Sequence, residues 1–295
     1  FDMQFDPQND LAFVVVIYNR QCSDSETLTS FRGQSGLRAL VVDNSDSREI
    51  KAINVDYCQE MGYTHLDMGG NQGLSKAYNQ ALSLLDDHIK YVVLFDDDTT
   101  LPSPYFDTLF QALSQKSDAD ILLPKVMSTG RLISPCIRRG SLFFKARSGK
   151  LSQVVSSRRV SAINSGMVIC LKRIPKDSKP FDETLFLDCI DHDFMYNQNI
   201  VQHRIVELYE VILDQRFSDR ITNRMPEEKT IKCRRFEIFA RDYLIFCRKN
   251  QLGFFIPRLY LAYRAVKLSV RHRSFRFLTV PFGVKSKAPM KMETD

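Results

Sequence analysis

The stretch Tyr91-Val-Val-Leu-Phe-Asp-Asp-Asp-Thr-Thr-Leu-Pro102 limits this chain's folds more than any other. Its first five residues are apolar and rich in β-branched and aromatic side chains, so they read as a buried strand. Three carboxylates follow without a break. Asp96, Asp97 and Asp98 cannot all sit in an apolar core, because a buried charge without a partner is strongly disfavoured. They have to face a cleft or a cation. In open α/β sheets, ligands bind outside the carboxyl ends of the strands, and carboxylate clusters there suit hard cations such as Mg²⁺ or Mn²⁺. A plainer alternative is a solvated loop before a helix capped by Ser103 and opened by Pro104, but one cap does not require three acids.

The rest of the chain repeats this pattern. Leu11-Ala-Phe-Val-Val-Val-Ile17 is a continuous apolar run that ends in polar Tyr18, Asn19 and Arg20, and the run over 37–42 ends in Asp43-Asn44-Ser45. A weaker strand at 63–66 precedes Met68-Gly-Gly-Asn-Gln-Gly-Leu-Ser75. The helix after it carries Leu74, Ala77, Tyr78, Ala81, Leu82 and Leu85 on one face. With a helix over about 104–114 and a strand at 121–123, strands recur roughly every 25 to 30 residues, separated by helices. That rhythm predicts an α/β fold: a mostly parallel central sheet flanked by helices.

Beyond it, residues 128–159 are polar, basic and Gly-containing, and read as a flexible or hairpin region. In Ala162-Ile-Asn-Ser-Gly-Met-Val-Ile-Cys-Leu171, Ser165 and Gly166 precede a strand, where the backbone can approach a ligand closely or simply turn. Asp188, Asp191, His192 and Asp193 sit among Phe186, Leu187, Ile190 and Phe194. Carboxylates against apolar surface have raised pKa values, which suits a base. A helix over 234–250 has an apolar face made by Phe236, Phe239, Ala240, Tyr243, Leu244 and Cys247, as core packing requires.

Composition matters mainly at the C-terminus. The net charge of +6 is concentrated there: residues 244–291 contain Arg248, Lys249, Arg258, Arg264, Lys267, Arg271, Arg273, Arg276, Lys285, Lys287 and Lys291 but no Asp or Glu. Such a segment favours a polyanionic partner: anionic lipid, nucleic acid or a phosphate-bearing substrate. Within it, Phe255, Leu259, Ala262, Val266 and Val270 fall on one side of a helix, and Arg264, Lys267 and Arg271 on the other. This basic amphipathic helix fits either a solvated surface position or attachment in the plane of an anionic membrane; Tyr260, Tyr263, Phe275, Phe277 and Phe282 tilt the reading toward the membrane. Seven widely spaced cysteines without a C-x-x-C pair favour reduced thiols and a cytoplasmic setting. No run of apolar residues is long enough to span a bilayer as a helix.

Five of these segments, together spanning about 13–250, resemble the family 2 glycosyltransferases with the GT-A (Rossmann-like) fold, especially the rhamnosyltransferase-like branch that builds bacterial surface polysaccharides. Val15-Val-Ile-Tyr-Asn-Arg20 looks like the first strand and its nucleotide-cradling turn. Val41-Val-Asp-Asn-Ser45 looks like the strand whose Asp contacts the base. Gly70-Asn-Gln-Gly-Leu-Ser-Lys-Ala-Tyr-Asn-Gln-Ala81 is similar to the N-x-G-x-x-x-A-x-N segment, and Phe95-Asp-Asp-Asp-Thr99 stands at the D-x-D position. Phe186-Leu-Asp-Cys-Ile-Asp-His-Asp193 matches the acceptor-side F-x-D-x-x-D-x-E/D element. Where relatives often carry a His, Leu213-Asp-Gln-Arg-Phe217 offers Gln215.

The resemblance implies an inverting transfer of sugar, rhamnose or galactofuranose above others, from a dTDP- or UDP-linked donor. The acceptor would be a glycan or a polyprenyl-diphosphate-linked chain. It implies a Mn²⁺ or Mg²⁺ ion on Asp96 and Asp98, and Asp191 as the base. Donor contacts would come from Tyr18, Asn19, Asp43, Asn71, Gly73, Lys76, Asn79 and Asp97, and acceptor contacts from Ser165, Gly166, Asp188 and His192. A catalytic domain over 1–232, divided near 125 into nucleotide-sugar and acceptor halves, would precede a helical, basic region over 233–295. The expected place is the inner face of the cell membrane, held peripherally, as a homo-oligomer or alone and without nucleic acid. The competing classes are a Mg²⁺-dependent nucleotidyltransferase or other phosphoryl-transfer enzyme, and a non-catalytic carbohydrate-binding protein. The first usually carries a Gly-rich phosphate loop after its first strand, absent at 17–23; the second has no need of Asp98 and Asp191.

Overall fold

A computed structural model describes residues 5–115, 118–146, 157–215 and 226–283. The apolar run at the start becomes β1 (Leu11–Ile17), and all seven of its residues are buried. Such a run without alternation is what a strand covered on both faces requires. Before it lies the short α1 (Pro7–Asp10); after it come α2 (Glu26–Ser30), β2 (Ala39–Asp43), α3 (Arg48–Met61), β3 (Thr64–Asp67), α4 (Leu74–Leu84) and β4 (Tyr91–Asp96). The chain continues through β5 (Thr99–Thr100), α5 (Tyr105–Gln115), β6 (Ile121–Ser128), β7 (Arg131–Ser134), β8 (Cys136–Arg139), β9 (Leu142–Lys145), β10 (Val160–Ser161) and β11 (Met167–Cys170). It ends with α6 (Ile190–Ile200), β12 (Ile205–Gln215), α7 (Pro226–Lys249), α8 (Phe255–His272) and α9 (Arg276–Gly283).

The main sheet runs β3-β2-β1-β4-β11-β6-β12-β5, with β7 paired to β6. The pairs β1–β2, β2–β3, β1–β4 and β6–β12 are parallel, as the strand spacing predicts. Inside the sheet β11 is reversed, antiparallel to both β4 and β6, and at the margins β5 pairs antiparallel with β12 and β7 with β6. The chain reaches β11 from the hairpin strands β7 to β10 and not through a crossover helix, so it enters the sheet in the opposite sense. β8, β9 and β10 make a separate antiparallel sheet; β8 and β9 lie within the stretch that reads as hairpin in sequence and β10 directly after it.

The sheet divides two cores by strand alternation. Phe13, Val15 and Ile17 face one side with Phe31, Tyr105 and Phe106 of the α2 and α5 layer. Ala12, Val14 and Val16 face the other, with Tyr78, Ala81 and Leu82 of α4. Phe181, Phe194, Phe236, Tyr243, Phe246, Leu261 and Phe277 belong to that second core, so α7, α8 and α9 are continuous with the sheet domain. The sequence-based boundary at 232 falls inside α7.

The outer helix differs from its sequence reading in one respect. Pro257, Leu261, Ala265 and Ser269 of α8 are buried at spacings of four, facing the body. The apolar stripe read from sequence lies away from them and is open: Phe255 is 76% exposed, Leu259 69% and Val270 75%. Arg264 and Arg271 lie on the side away from the open stripe, where they line a cavity against the preceding helix. Lys285, Lys287 and Lys291 lie outside the described residues.

Candidate active site

The three aspartates stand where β4 leaves the sheet, on a turn clamped by α2. Ser25 Oγ donates to the Asp97 carbonyl at 2.9 Å and Thr27 Oγ1 to the Asp96 carbonyl at 2.6 Å. Arg20 places Nε 3.4 Å from Asp97 Oδ2, which turns that carboxylate toward β1. Asp96 and Asp98 face β12 instead. The amide of Gln215 donates to Asp98 Oδ1 at 3.0 Å and reaches Asp96 Oδ2 at 3.4 Å, while its oxygen accepts from Ser165 Oγ at 3.0 Å. Tyr78, buried in α4, donates to Asp96 Oδ1 at 3.2 Å.

Electrostatics here follow from crowding. Burial, then the charges of Asp98 and Asp97, push Asp96 up to about 7. Burial pushes Asp97 up to about 6 against the pull of Arg20. Asp98 is also raised by burial, which the Gln215 hydrogen bond partly offsets. Among the described residues no three His, Cys, Asp or Glu side chains form a complete metal cage. Two carboxylates short of positive charge, with only oxygen donors beside them, fit a hard cation that draws its remaining ligands from substrate phosphates and water. Asp96 and Asp98 could hold such an ion.

Beside this turn the ends of β1 and β2 build a polar cradle. Asn19, at φ 47, donates its backbone N–H to Ser45 Oγ at 2.8 Å and accepts from Asp46 N at 3.0 Å. Tyr18 OH donates to Asp46 Oδ2 at 2.9 Å, and the other oxygen of Asp46 accepts from Asn71 N at 3.0 Å. Asn71 in turn accepts from Asn44 Nδ2 at 3.1 Å. Tyr18, Asn19 and Asn71 are thus brought together, with Asp46 at their centre. Asp43 is placed differently: it is fully buried, and its oxygens accept from Ser45 N, Asn54 Nδ2 and, at 3.3 Å, pair with His65. Burial pushes Asp43 up, but the hydrogen bonds of His65, Ser45 and Asn54 outweigh it and hold the carboxyl low. Its role in the structure is to set the turn, and Asp46 is the carboxylate at the cradle surface.

Three other donor candidates separate. Lys76 is exposed on the first turn of α4. Asn79 is buried and engaged by the backbone of Phe181 on both sides, at 2.7 and 3.1 Å, so it ties α4 to the loop before α6. Gly73, at φ 86, is a close-approach glycine: a Cβ would come 2.8 Å from the carbonyl of Phe186, which also accepts from Leu74 N at 2.6 Å.

The loop before α6 is held from behind by α7. Asp242 Oδ2 accepts from the backbone N–H groups of Phe186, Leu187 and Asp188 at 3.1, 2.8 and 2.9 Å. Asp188 is clasped by both terminal nitrogens of Arg235. Asp193 is buried and accepts from Lys249 at 2.8 Å and Asn250 at 2.8 Å, an anchoring role. Asp191 keeps 19% of its side chain exposed. Burial raises it, against the charge of His192, and its own charge helps to raise Asp96. His192 stacks on Phe143 at 3.8 Å and its Nδ1 lies 2.8 Å from Ser161 Oγ. Ser165 is buried behind Asp96. The missing Cβ of Gly166 leaves room for Leu213 and Pro124 of the sheet core.

Tyr78, Asp46, Thr27 and Asp242 are site residues that sequence reading missed. Tyr78 lay within a quoted motif, as part of an apolar stripe, and Asp242 within the helix read over 234–250.

The turn, the cradle and the loop that places Asp191 can be set beside known proteins. The model of glycosyl transferase family 2 matches residues 12–158, which carry the cradle and all three aspartates of the turn. That match covers just under half of the chain. No curated protein matches the sequence. Among solved structures, GalNAc-T7 with UDP, GalNAc and Mn²⁺ superposes with a TM-score of 0.57 at 10% identity, over 92% of this chain. This chain spans 56% of that one. TarS 1–349 of S. aureus gives 0.50 at 16% identity, over 90% of this chain and 92% of its own. The same TarS fragment in complex with UDP-GlcNAc gives 0.51 at 13% identity, over 92% and 90%. At these identities the likeness establishes the fold alone, which is GT-A.

Proposed function

We propose that this chain is a glycosyltransferase that moves a sugar, with inversion, from a UDP- or dTDP-sugar to a glycan or polyprenyl-diphosphate-linked acceptor in cell-surface polysaccharide synthesis, with rhamnose or galactofuranose favoured. The observation that carries the reading is the pairing of Asp96 and Asp98 at the exit of β4 with a partly buried Asp191 near enough to influence Asp96. In the similar structures, GalNAc-T7 holds UDP and Mn²⁺ and TarS holds UDP-GlcNAc, which supports a uridine nucleotide and a divalent ion here.

A Mn²⁺ or Mg²⁺ ion on Asp96 and Asp98 would neutralise charge growing on the leaving diphosphate. The chain's own residues do the rest. The network of Tyr18, Asn19, Asp46 and Asn71 shapes the nucleotide cradle, and Gln215 and Tyr78 orient the two carboxylates. Asp191, raised by burial, takes the proton from the acceptor hydroxyl. That oxygen attacks the anomeric carbon as the carbon–oxygen bond to the diphosphate breaks, and the bonding pair leaves with the diphosphate. His192, fixed by Phe143 and Ser161, borders the acceptor approach.

The open apolar stripe of α8, with Arg258 and Lys267 along its flanks, supports seating on the anionic inner face of the cell membrane. No helix among the described residues is long and apolar enough to cross a membrane, and all seven cysteines are unpaired. Hydrolysis of a panel of nucleotide sugars with and without Mn²⁺ tests the activity. Metal-dependent release of nucleoside diphosphate from one donor is expected. Release of pyrophosphate, or no turnover with any donor, returns the chain to the nucleotidyltransferase or binding-protein class.

A further inference from the structure

The 3₁₀ turn Cys22–Asp24 comes just after the cradle residues Tyr18, Asn19 and Arg20 and packs against α3. Asn54 of α3 fastens this stretch. Its amide oxygen accepts from Cys22 N at 2.7 Å, and its Nδ2 donates to the Arg20 carbonyl at 3.1 Å and to Asp43 Oδ2 at 2.8 Å. One helical turn further along the same face of α3 stands Cys58. Its sulfur accepts a hydrogen bond from the Cys22 thiol, and both residues are buried in the core that holds Phe13 and Phe31. Two thiols from separate segments therefore meet directly behind the cradle. Their surroundings favour a thiolate on Cys58: the Cys22 hydrogen bond holds it low against its burial, and the charge of His65 adds to the effect. His65 is in turn paired with Asp43 at 3.3 Å. The thiolate is the nucleophilic form of cysteine.

We infer that Cys22 and Cys58 form a modification site, which a peroxide closes into a disulfide that pulls the 3₁₀ turn onto α3 and weakens the nucleotide cradle. The Cys58 thiolate attacks one peroxide oxygen as the O–O bond breaks; the second oxygen leaves with the thiol's proton as water, and Cys58 becomes a sulfenic acid. Cys22 then attacks the sulfenic sulfur, the S–O bond breaks, and a second water leaves. Two thiols have given up two electrons, and the peroxide has taken them. The turn begins at Gln21 without a side-chain cap, so its brief opening admits a molecule this small. A disulfide holds its sulfurs about 2.05 Å apart, well inside the contact distance of two thiols. Closing that gap moves the turn relative to Asn54, and with it the Arg20 carbonyl that Asn54 holds. Arg20 in turn sets Asp97, and Asn19 next to it bonds Ser45 and Asp46. The cross-link stands apart from the glycosyltransferase reading, whereas its effect on UDP rests on that reading.

The test treats the full chain with hydrogen peroxide, then with or without a thiol reductant. Free thiols are counted after denaturation, and an unreduced peptide map is read by mass spectrometry. Two of the seven thiols are expected to disappear, with one linked peptide pair carrying Cys22 and Cys58, and reductant should restore both. Calorimetric affinity for UDP with Mn²⁺ is expected to fall about tenfold on oxidation, the effect of one cradle hydrogen bond lost, and to recover on reduction. Cys22→Ser should keep its UDP affinity under peroxide. If that variant does not fold, Cys58→Ser carries the same expectation, and the wild-type peptide map needs no variant at all. Seven thiols retained, a link between other cysteines, or sulfinic acid on Cys58 without a link overturns the site. A Cys22–Cys58 link that leaves UDP affinity untouched overturns its action on the cradle. If the reduced protein binds no UDP, the glycosyltransferase reading falls, and the thiol count still decides the cross-link.

Discussion

At the scale of single residues, the site assigns different work to carboxylates that look alike in sequence. Asp98→Asn is expected to abolish Mn²⁺-dependent UDP binding and leave the melting temperature close to wild type, since Asp98 stands on a turn held by Ser25 and Thr27. Calorimetry with and without Mn²⁺ checks it; retained affinity removes Asp98 from the ion's ligands. Asp191→Asn should bind donor normally and lose transfer by about 10² to 10⁴, the usual contribution of a general base. Steady-state rates beside donor affinity separate the two effects. Asp43 invites a third test, of pH dependence. Its hydrogen bond raises His65 above the ordinary 6.5. A histidine raised in the folded state adds stability that is full below its unfolded pKa and fades as pH rises through the folded one. The melting-temperature gap between wild type and His65→Gln should therefore be widest in mild acid and shrink above neutrality. A gap constant across that window would show that His65 is not protonated against Asp43.

At the scale of elements, loops bonded from behind by helices govern the acceptor side. Asp242→Ala leaves three amides of the loop before α6 without their acceptor. At about 1 to 3 kcal/mol for each orphaned buried group, a loss of about 3 kcal/mol or more is expected in denaturant unfolding. Asp242→Asn keeps an oxygen at that place and should cost less. What sequence showed and hid follows from the range of these contacts. β1, β2, β4 and α4 were legible because each carries its own periodicity, and the aspartate turn because it ends the most apolar strand. The bond from Tyr78 to Asp96, the bridge of Gln215 across Asp96 and Asp98, and the grip of Asp242 on residues 186–188 join distant segments, and no local pattern encodes them. Asn79 is the reverse case: a polar residue of a local motif whose amide meets both backbone groups of distant Phe181, a contact the motif does not announce. The reversed direction of β11 was hidden for a related reason, since a short apolar strand reads the same in either sense.

At the scale of the whole molecule, α8 turns one face inward and leaves Phe255, Leu259 and Val270 open beside cationic flanks. Co-sedimentation with vesicles is expected to rise with anionic lipid and fall with salt, each basic residue near the surface contributing about 1 kcal/mol. Leu259→Asp/Val266→Asp should release the protein from vesicles and leave UDP affinity intact. Binding indifferent to lipid charge, or untouched by the substitutions, would point to another partner for this face. The hold of Asp242 on the loop also bears on how such enzymes can be recombined. The segment that would choose the acceptor, around 180–194, and the helix that keeps it in shape, 226–249, are separate in sequence but one unit mechanically. A chimera that borrows the first without the second would receive a loop whose scaffold stayed behind in the parent.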